Sequence, residues 1–492
     1  MSSRAEAVTS SRFDRQTLTL RWQGLAVKGE ANTLDVEVAV TLHENDPLSR
    51  WRISVANRSK TYGLWCVSFP LFELAPIGGK AETNFVAIGR SRGVVAKDPF
   101  NDTNKYTLGF GTNSPCYWPG TYNMQFHALY DESGTGLYLA THDGEGHRKA
   151  YQLSPRPARQ SLEYKVGHFP ANMGLPAEDY RMSYDVCIGP FKGDWYDACQ
   201  IYRAWAVQQP WCGKGPLATR QDIPRWFKES PLMFCTFSKE GDWRVTESRE
   251  RMLAMLRFFG TELPLVWYTW KQFIPERTDY QKPGSPWKVP EARAHPPSNI
   301  HDGNYPALPA LPSFSAACKA IRDAGGHVKP YVCSSIYDPG LDENAPFAAQ
   351  AKPNAAKGPD GKIILAEAKK VSWQMCPHTA WWQQRLAETV TELIRREHAG
   401  GVYFDTFYGG NYSCAQCFDT SHGHAHGGGT SPYEGDRKLS DAVLGALKKA
   451  DPEAVMTGES PSETAIDLLD GFLYRWVTWP DMAPLFATVY GD

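Results

Sequence analysis

Asp405 closes the apolar run GGVYFD, and further along Glu459 closes EAVMTGE. A carboxylate at the tip of a buried strand has few structural uses: it caps the following turn or pairs with a lysine. Two carboxylates at matching tips of neighbouring strands can do chemistry. Neighbouring strands lie about 4.8 Å apart, so side chains reaching inward from their tips sit about 5 to 9 Å apart, which brackets the spacings of retaining and inverting glycosidases. One group protonates the leaving oxygen; the other attacks or stabilises the anomeric carbon. Asp405 and Glu459 are therefore the candidate catalytic pair. The structural alternative for Glu459 is a cap on a helix starting at SPSE, where Ser460 is the better cap. Glu463 would then complete a capping box with Ser460.

The other strand ends present aromatic and polar groups suited to a sugar. Trp267 ends LPLVW and Trp270 lies just past it, Tyr337 and Asp338 follow PYVCSS, Tyr408 follows Asp405, and Arg475 and Trp476 end GFLYRW. Flat rings stack on the C–H face of a pyranose while a polar tip stays wet. Trp267 and Trp270 are three residues apart, so only one lines a barrel mouth unless the strand has already ended.

After Asp405 comes CAQCFDTSHGHAHGGG. Cys414, Cys417, His422 and His426 are a zinc-like ligand set, and His424 sits where imidazole also suits sugar hydroxyls. A disulfide or free thiols in a substrate loop are the alternatives. No cofactor is required by the carboxylate chemistry, so any zinc here is structural. A lone catalytic cysteine fits poorly, because no strand–helix elbow presents one.

Composition bounds these readings. A chain of 492 residues exceeds one ordinary domain, so two or three are expected. A net charge of −2 gives no electrostatic case for nucleic acid or an anionic membrane. No run of about 18 apolar residues predicts a membrane span, and MSSRAEAVTSSRFDRQ lacks the apolar stretch of a signal peptide, which leaves the location open. Seventeen tryptophans and 23 tyrosines exceed what a core needs and favour a carbohydrate partner. Eleven scattered cysteines, several in apolar runs such as LMFCTF, do not form a disulfide framework.

The elements that must position these groups fall into three parts. Residues 1–190 alternate at strand period (LTLRW, LDVEVAVTL, WRISVAN) and include a hairpin at DESGTGLYLATHD, which predicts a large antiparallel β-sandwich. Residues 191–228 hold a linker helix in GDWYDACQIYRAWA, with Asp194 as its cap. From 229 to 492, apolar strands alternate with amphipathic helices, which predicts a parallel sheet with covered faces. The repeated single-strand, single-helix units favour a (β/α)8 barrel, and the first strand lacks a phosphate-binding fingerprint. Barrel active sites lie at the C-terminal strand ends. Seven strands are countable, the seventh being PLFATVY, so the sequence predicts an incomplete barrel, truncated at the C-terminus.

The motifs GVYFD and MTGES, after a β-rich domain and GDWYDACQIYRAWAVQQPW, resemble a family of bacterial glycoside hydrolases of largely unassigned function. More distantly the chain is similar to the endo-α-N-acetylgalactosaminidases, which join a mutarotase-like super-sandwich to a barrel. The resemblance implies a nucleophile at Asp405 after strand four, an acid/base at Glu459 after strand five, and a retaining glycosidase acting on a carbohydrate. Two rivals remain at this point: a non-catalytic sugar-binding relative, and a metal-dependent hydrolase using the Cys/His loop.

Overall fold

The computed structural model describes residues 8–14, 16–90, 92–101, 116–236, 243–268, 270, 310–339, 343, 345, 347–366, 372–407, 416–473 and 481–491. The N-terminal part is built from two antiparallel sheets. The larger runs, in spatial order, through Ser10–Asp14, Thr17–Val27, Glu30–Thr41, Ser49–Asn57, Asp185–Lys192, Thr135–His142, Tyr122–Asp131, Asn84–Arg90 and Val94–Lys97, with Tyr180–Arg181 paired to Ser49–Asn57. The smaller orders Val67–Leu74, Ser161–His168, Lys149–Arg156 and Cys116–Trp118. Strand period decides which side chains go inside. In SLEYKVGH, Leu162, Tyr164 and Val166 are fully buried, while Glu163 and Lys165 between them are only partly so. They pack with Trp118, Tyr151, Leu153 and Leu139 into one core. Each such side chain contributes roughly 1.5–3 kcal/mol on leaving water. The expected hairpin is present: Tyr122–Asp131 pairs with Thr135–His142, and Asp131 accepts the amides of Ser133 and Thr135 across the turn.

The second face of the larger sheet is covered by helices. The helix Trp195–Ala206 starts where Asp194 accepts the Tyr196 amide at 2.7 Å and Asp197 returns to the Asp194 amide at 3.0 Å. It buries Ala198, Cys199, Tyr202 and Ala206, and the Tyr202 ring stacks on Phe126 of the sheet at 4.8 Å. Beside it lies Leu485–Tyr490, whose Leu485, Phe486 and Val489 join the same core. This corrects the expected seventh strand. A short apolar run reads equally as strand or helix, and here burying Leu485, Phe486 and Val489 together requires helical spacing. The segment before it pairs with the sheet edge: the Val95 amide donates to the Asp481 carbonyl at 2.8 Å, and Ala483 to Gly93 at 3.0 Å.

The C-terminal part is a curled, all-parallel sheet of six strands in sequence order: Phe234–Thr236, Leu263–Trp267, Gly326–Cys333, Gly401–Asp405, Val455–Gly458 and Gly471–Phe472. These are strands one to six below. The helices Trp243–Phe259, Phe314–Asp323, Ala380–Arg395 and Ser431–Ala450 connect them. Strands two, four and five are buried along their whole length, as near-continuous apolar runs between covered faces should be. Among the described residues the sheet is open, with strands one and six at its ends.

Candidate active site

Strands three and four run parallel with Tyr331 opposite Tyr403 and Cys333 opposite Asp405. Side chains two apart on a strand share a face, so Tyr403 and Asp405 point the same way, and Tyr331 joins them from the neighbour. Both phenols donate to the carboxylate: Tyr403 to Asp405 Oδ1 at 2.8 Å and Tyr331 to Oδ2 at 2.9 Å. Asp405 is 9% exposed, and its two oxygens are oriented by groups that suit an anion.

The next residue, Thr406, has φ of +58°. A β-branched residue is rarely found in this left-handed region, and such outliers cost on the order of 1–3 kcal/mol where the surroundings enforce them. The enforcing groups are visible. The Thr406 amide donates to Glu459 Oε2 at 3.2 Å, and its hydroxyl bonds Ser335 Oγ at 2.6 Å. The Ser334 amide in turn donates to the Asp405 carbonyl at 3.0 Å. Glu459 stands just past strand five, which is paired to strand four. Its carboxylate thus reaches the peptide adjoining Asp405, and the two acids occupy the C-terminal ends of neighbouring parallel strands.

The other expected sugar contacts divide. Trp267 is 0% exposed and packs edge-on against Phe314 at 5.1 Å. Trp270 is 3% exposed, and its indole donates to the Tyr331 carbonyl at 2.8 Å. Tyr337 is buried between Trp373 and Trp381. The expectation that these three rings stack on a sugar is corrected: they are core side chains that hold strands two and three. Asp338 follows Tyr337, also buried. Tyr408, Arg475, Trp476 and Cys414 lie outside the described residues.

The expected metal ligands divide as well: Cys417 and His422 converge, and His426 does not. His426 donates its backbone amide to Asn172 and places Nδ1 2.9 Å from the Met173 carbonyl, against the double-sheet domain and outside the cysteine cluster. His424, expected at the sugar, instead faces Cys376. The groups that converge are Cys376, Cys417, His422 and His424, with ligand atoms all within 4.8 Å of one another. A hydrogen bond from Cys376, helped by the two imidazoles, holds the Cys417 thiol low, while the same contact with Cys417 pushes Cys376 up. Sequence spacing did not reveal Cys376, which lies before the helix Ala380–Arg395 and far along the chain from its partners. Its only local signal is the Cys-Pro-His triplet after Trp373–Gln374.

Glu463 is not a capping residue. Its turn shows no side-chain cap, and its carboxylate is buried, accepting from Trp118, Tyr202 and Tyr490. It joins the double-sheet domain, the helix Trp195–Ala206 and the helix Leu485–Tyr490.

A double-sheet domain leading into a curled parallel sheet is an architecture shared with a multidomain glycosidase of known structure. The α-N-acetylgalactosaminidase NagBb of Bifidobacterium bifidum, in its GalNAc complex, superimposes with a TM-score of 0.69 over 99% of this chain and 75% of its own, at 14% identity. Residues 180–282 and 298–492 match the family described as "Domain of unknown function (DUF6259)", and the chain belongs to that family. It is similar to a Bacteroides thetaiotaomicron protein named "Putative glycoside hydrolase", 23% identical over 488 residues, 97% of this chain and 64% of the relative. It is also similar to "Putative glycoside hydrolase 22789" of Monosiga brevicollis, 26% identical over 388 residues, 73% of this chain and 30% of the relative. The chain thus spans less than two thirds of the length of either relative. The likeness to glycoside hydrolases read from GVYFD and MTGES holds at this level.

Proposed function

We propose that the chain is the core of a retaining glycoside hydrolase, with Asp405 as nucleophile and Glu459 as acid/base. The observation that carries this reading is the pair itself: an acid with both oxygens fixed by Tyr331 and Tyr403, and a second acid anchored on the very next amide. A fixed carboxylate attacks an anomeric carbon. A carboxylic acid a strand away delivers its proton to the departing oxygen, and the carboxylate so formed then takes one from the incoming water. The strained Thr406 supports the reading, since backbone strain collects where a side chain must be aimed. We read the curled sheet as the strand-one-to-six portion of a (β/α)8 barrel, whose C-terminal strand ends would carry the substrate.

Because the relative of similar fold is an α-N-acetylgalactosaminidase, aryl α-glycosides of N-acetylgalactosamine and galactose come first in a substrate panel. Asp405→Asn keeps one phenol as a donor to its oxygen and lets the other accept from its amide; it should leave the thermal transition in place while lowering turnover by roughly 10³-fold or more. NMR of the first-formed product should show retained anomeric configuration. Unchanged turnover in Asp405→Asn sinks the nucleophile role, and an inverted product sinks the double-displacement reading.

A further inference from the structure

We propose that Cys376, Cys417, His422 and His424 bind one zinc ion, as a closed structural site that clasps the loop after strand four onto the rest of the fold. This inference is independent of the glycosidase reading.

The geometry is that of a tetrahedron waiting for its centre. With zinc about 2.3 Å from sulfur and about 2.05 Å from nitrogen, each sulfur–nitrogen edge should measure roughly 3.6 Å. Cys376 Sγ lies 3.4 Å from His424 Nε2, and Cys417 Sγ lies 3.5 Å from His422 Nδ1. The outer nitrogens are already committed. His422 Nε2 sits 2.8 Å from the Pro353 carbonyl, and His424 Nδ1 sits 2.7 Å from the Ala425 carbonyl. A carbonyl accepts only, so each outer nitrogen carries the proton and each inner nitrogen turns a lone pair towards the sulfurs. That is how metal-bound imidazoles are held. The Lys357 amide, 3.4 Å from Cys417 Sγ, supplies a further donor to the sulfur. Both cysteines are buried and unlinked. A disulfide between them would leave the two inner nitrogens facing sulfur that has no proton to give.

The ligand types choose the ion. Two thiolates and two imidazoles favour zinc over magnesium or calcium, which take oxygen. Four protein ligands fill the tetrahedron and leave no position for water or substrate, so the ion's role is structural. What it would hold together is also plain. On one side, the Met375 amide donates to the Ser335 carbonyl, and Ser335 holds Thr406 beside Asp405. On the other, Gly427 returns to the Cys417 carbonyl, Gly429 exchanges backbone bonds with Phe169 and Arg148, and Phe418 packs on Trp65. The site therefore lies between the strand-four turn and the sandwich.

The test uses the full chain purified under reducing conditions from zinc-supplemented medium, with metal counted by plasma mass spectrometry. The expected result is about one zinc per chain. Cys376→Ser and Cys417→Ser should each lower occupancy at least tenfold, whereas Cys66→Ser should not. Should a variant fail to fold, the wild-type protein decides: a chelator should release the zinc, lower the melting temperature and expose two thiols to an aromatic disulfide reagent, all reversed by added zinc. A cobalt-loaded chain should show thiolate-to-cobalt charge-transfer absorption. Wild-type protein without zinc under these conditions, zinc retained in both serine variants, or a Cys376–Cys417 disulfide in unreduced peptides would overturn the proposal.

Discussion

Burial pushes the Glu463 carboxyl up to about 7, against the lowering effect of hydrogen bonds from Tyr490, Tyr202 and Trp118. In the unfolded chain the same group titrates near 4.5. Between these values the folded state holds a proton that the unfolded state has lost. A raised folded pKa contributes stability that is complete below the unfolded value and is lost as pH rises through the folded one. The span of about 2.5 pH units at 1.36 kcal/mol each amounts to about 3 kcal/mol lost between pH 4.5 and 7, with no further change above. Glu463→Gln is neutral throughout. At pH 5 it should cost about 1 kcal/mol, because an amide group replaces an acid hydroxyl among the tyrosines. By pH 8 it should be about 1–2 kcal/mol more stable than wild type, the two profiles crossing near pH 6. Urea denaturation followed by tryptophan fluorescence at pH 5, 6, 7 and 8 measures both proteins, and every other titrating group cancels in the difference. A difference that stays constant within about 0.5 kcal/mol over this range, or one that moves against the variant as pH rises, refutes the reasoning.

The remaining predictions concern single contacts. Lys149 and Asp143 form a fully buried ion pair, with the ammonium 4.1 Å from the centre of the Trp118 ring. Lys149→Met leaves the buried Asp143 carboxylate with its backbone amide and His147 contacts but no ammonium, and should cost about 3 kcal/mol by denaturant titration; a cost under about 1 kcal/mol would deny the pair its structural role. Gly428 has φ of +54°, and a Cβ there would lie 2.0 Å from the Pro170 carbonyl oxygen. Gly428→Ala should therefore detach the strand-four loop from the double-sheet domain, costing about 2 kcal/mol or more and opening residues 416–430 to limited proteolysis. Tyr403→Phe removes one donor from Asp405 and should reduce kcat on the order of tenfold to a hundredfold with little change in KM. A change confined to KM would mean that the phenol serves binding instead.

The sequence made the strand ends legible because buried parallel strands are continuous apolar runs, and a carboxylate closing one stands out. Asp405 and Glu459 were found that way, and Asp194 was found by its place before a helical repeat. Tyr403 was findable too, two residues before Asp405 on the same face. The aromatic residues were harder. Trp267, Trp270 and Tyr337 have the residue types of a sugar platform, but which side of a strand end faces solvent is decided by helices such as Phe314–Asp323 packing over it. Cys376 and Glu463 find their partners only through tertiary folding, Glu463 reaching Trp118 from 345 positions along the chain. The Cys-Pro-His triplet marks Cys376 but names no partner, and Glu463 has no such mark. PLFATVY shows the same limit in miniature, since the neighbouring helix and sheet settle a conformation that seven residues leave open.

The pairing of Val95 with Asp481 has a consequence for synthesis. Val94–Lys97 is the last strand of the larger sheet, and an unpaired edge is a template for joining another chain. The segment that covers it emerges roughly 390 residues later, and at about 5–20 residues per second the ribosome needs on the order of 20–80 s to deliver it. The strands can pair long before then, so each nascent chain passes through an interval in which the larger sheet leaves Val94–Lys97 open and lacks the cover of Leu485–Tyr490. Neighbouring chains on the same message are in the same state and display the same edge. Slow delivery of residues 481–486 lengthens that interval, and chaperone binding near Val94–Lys97 would shield it.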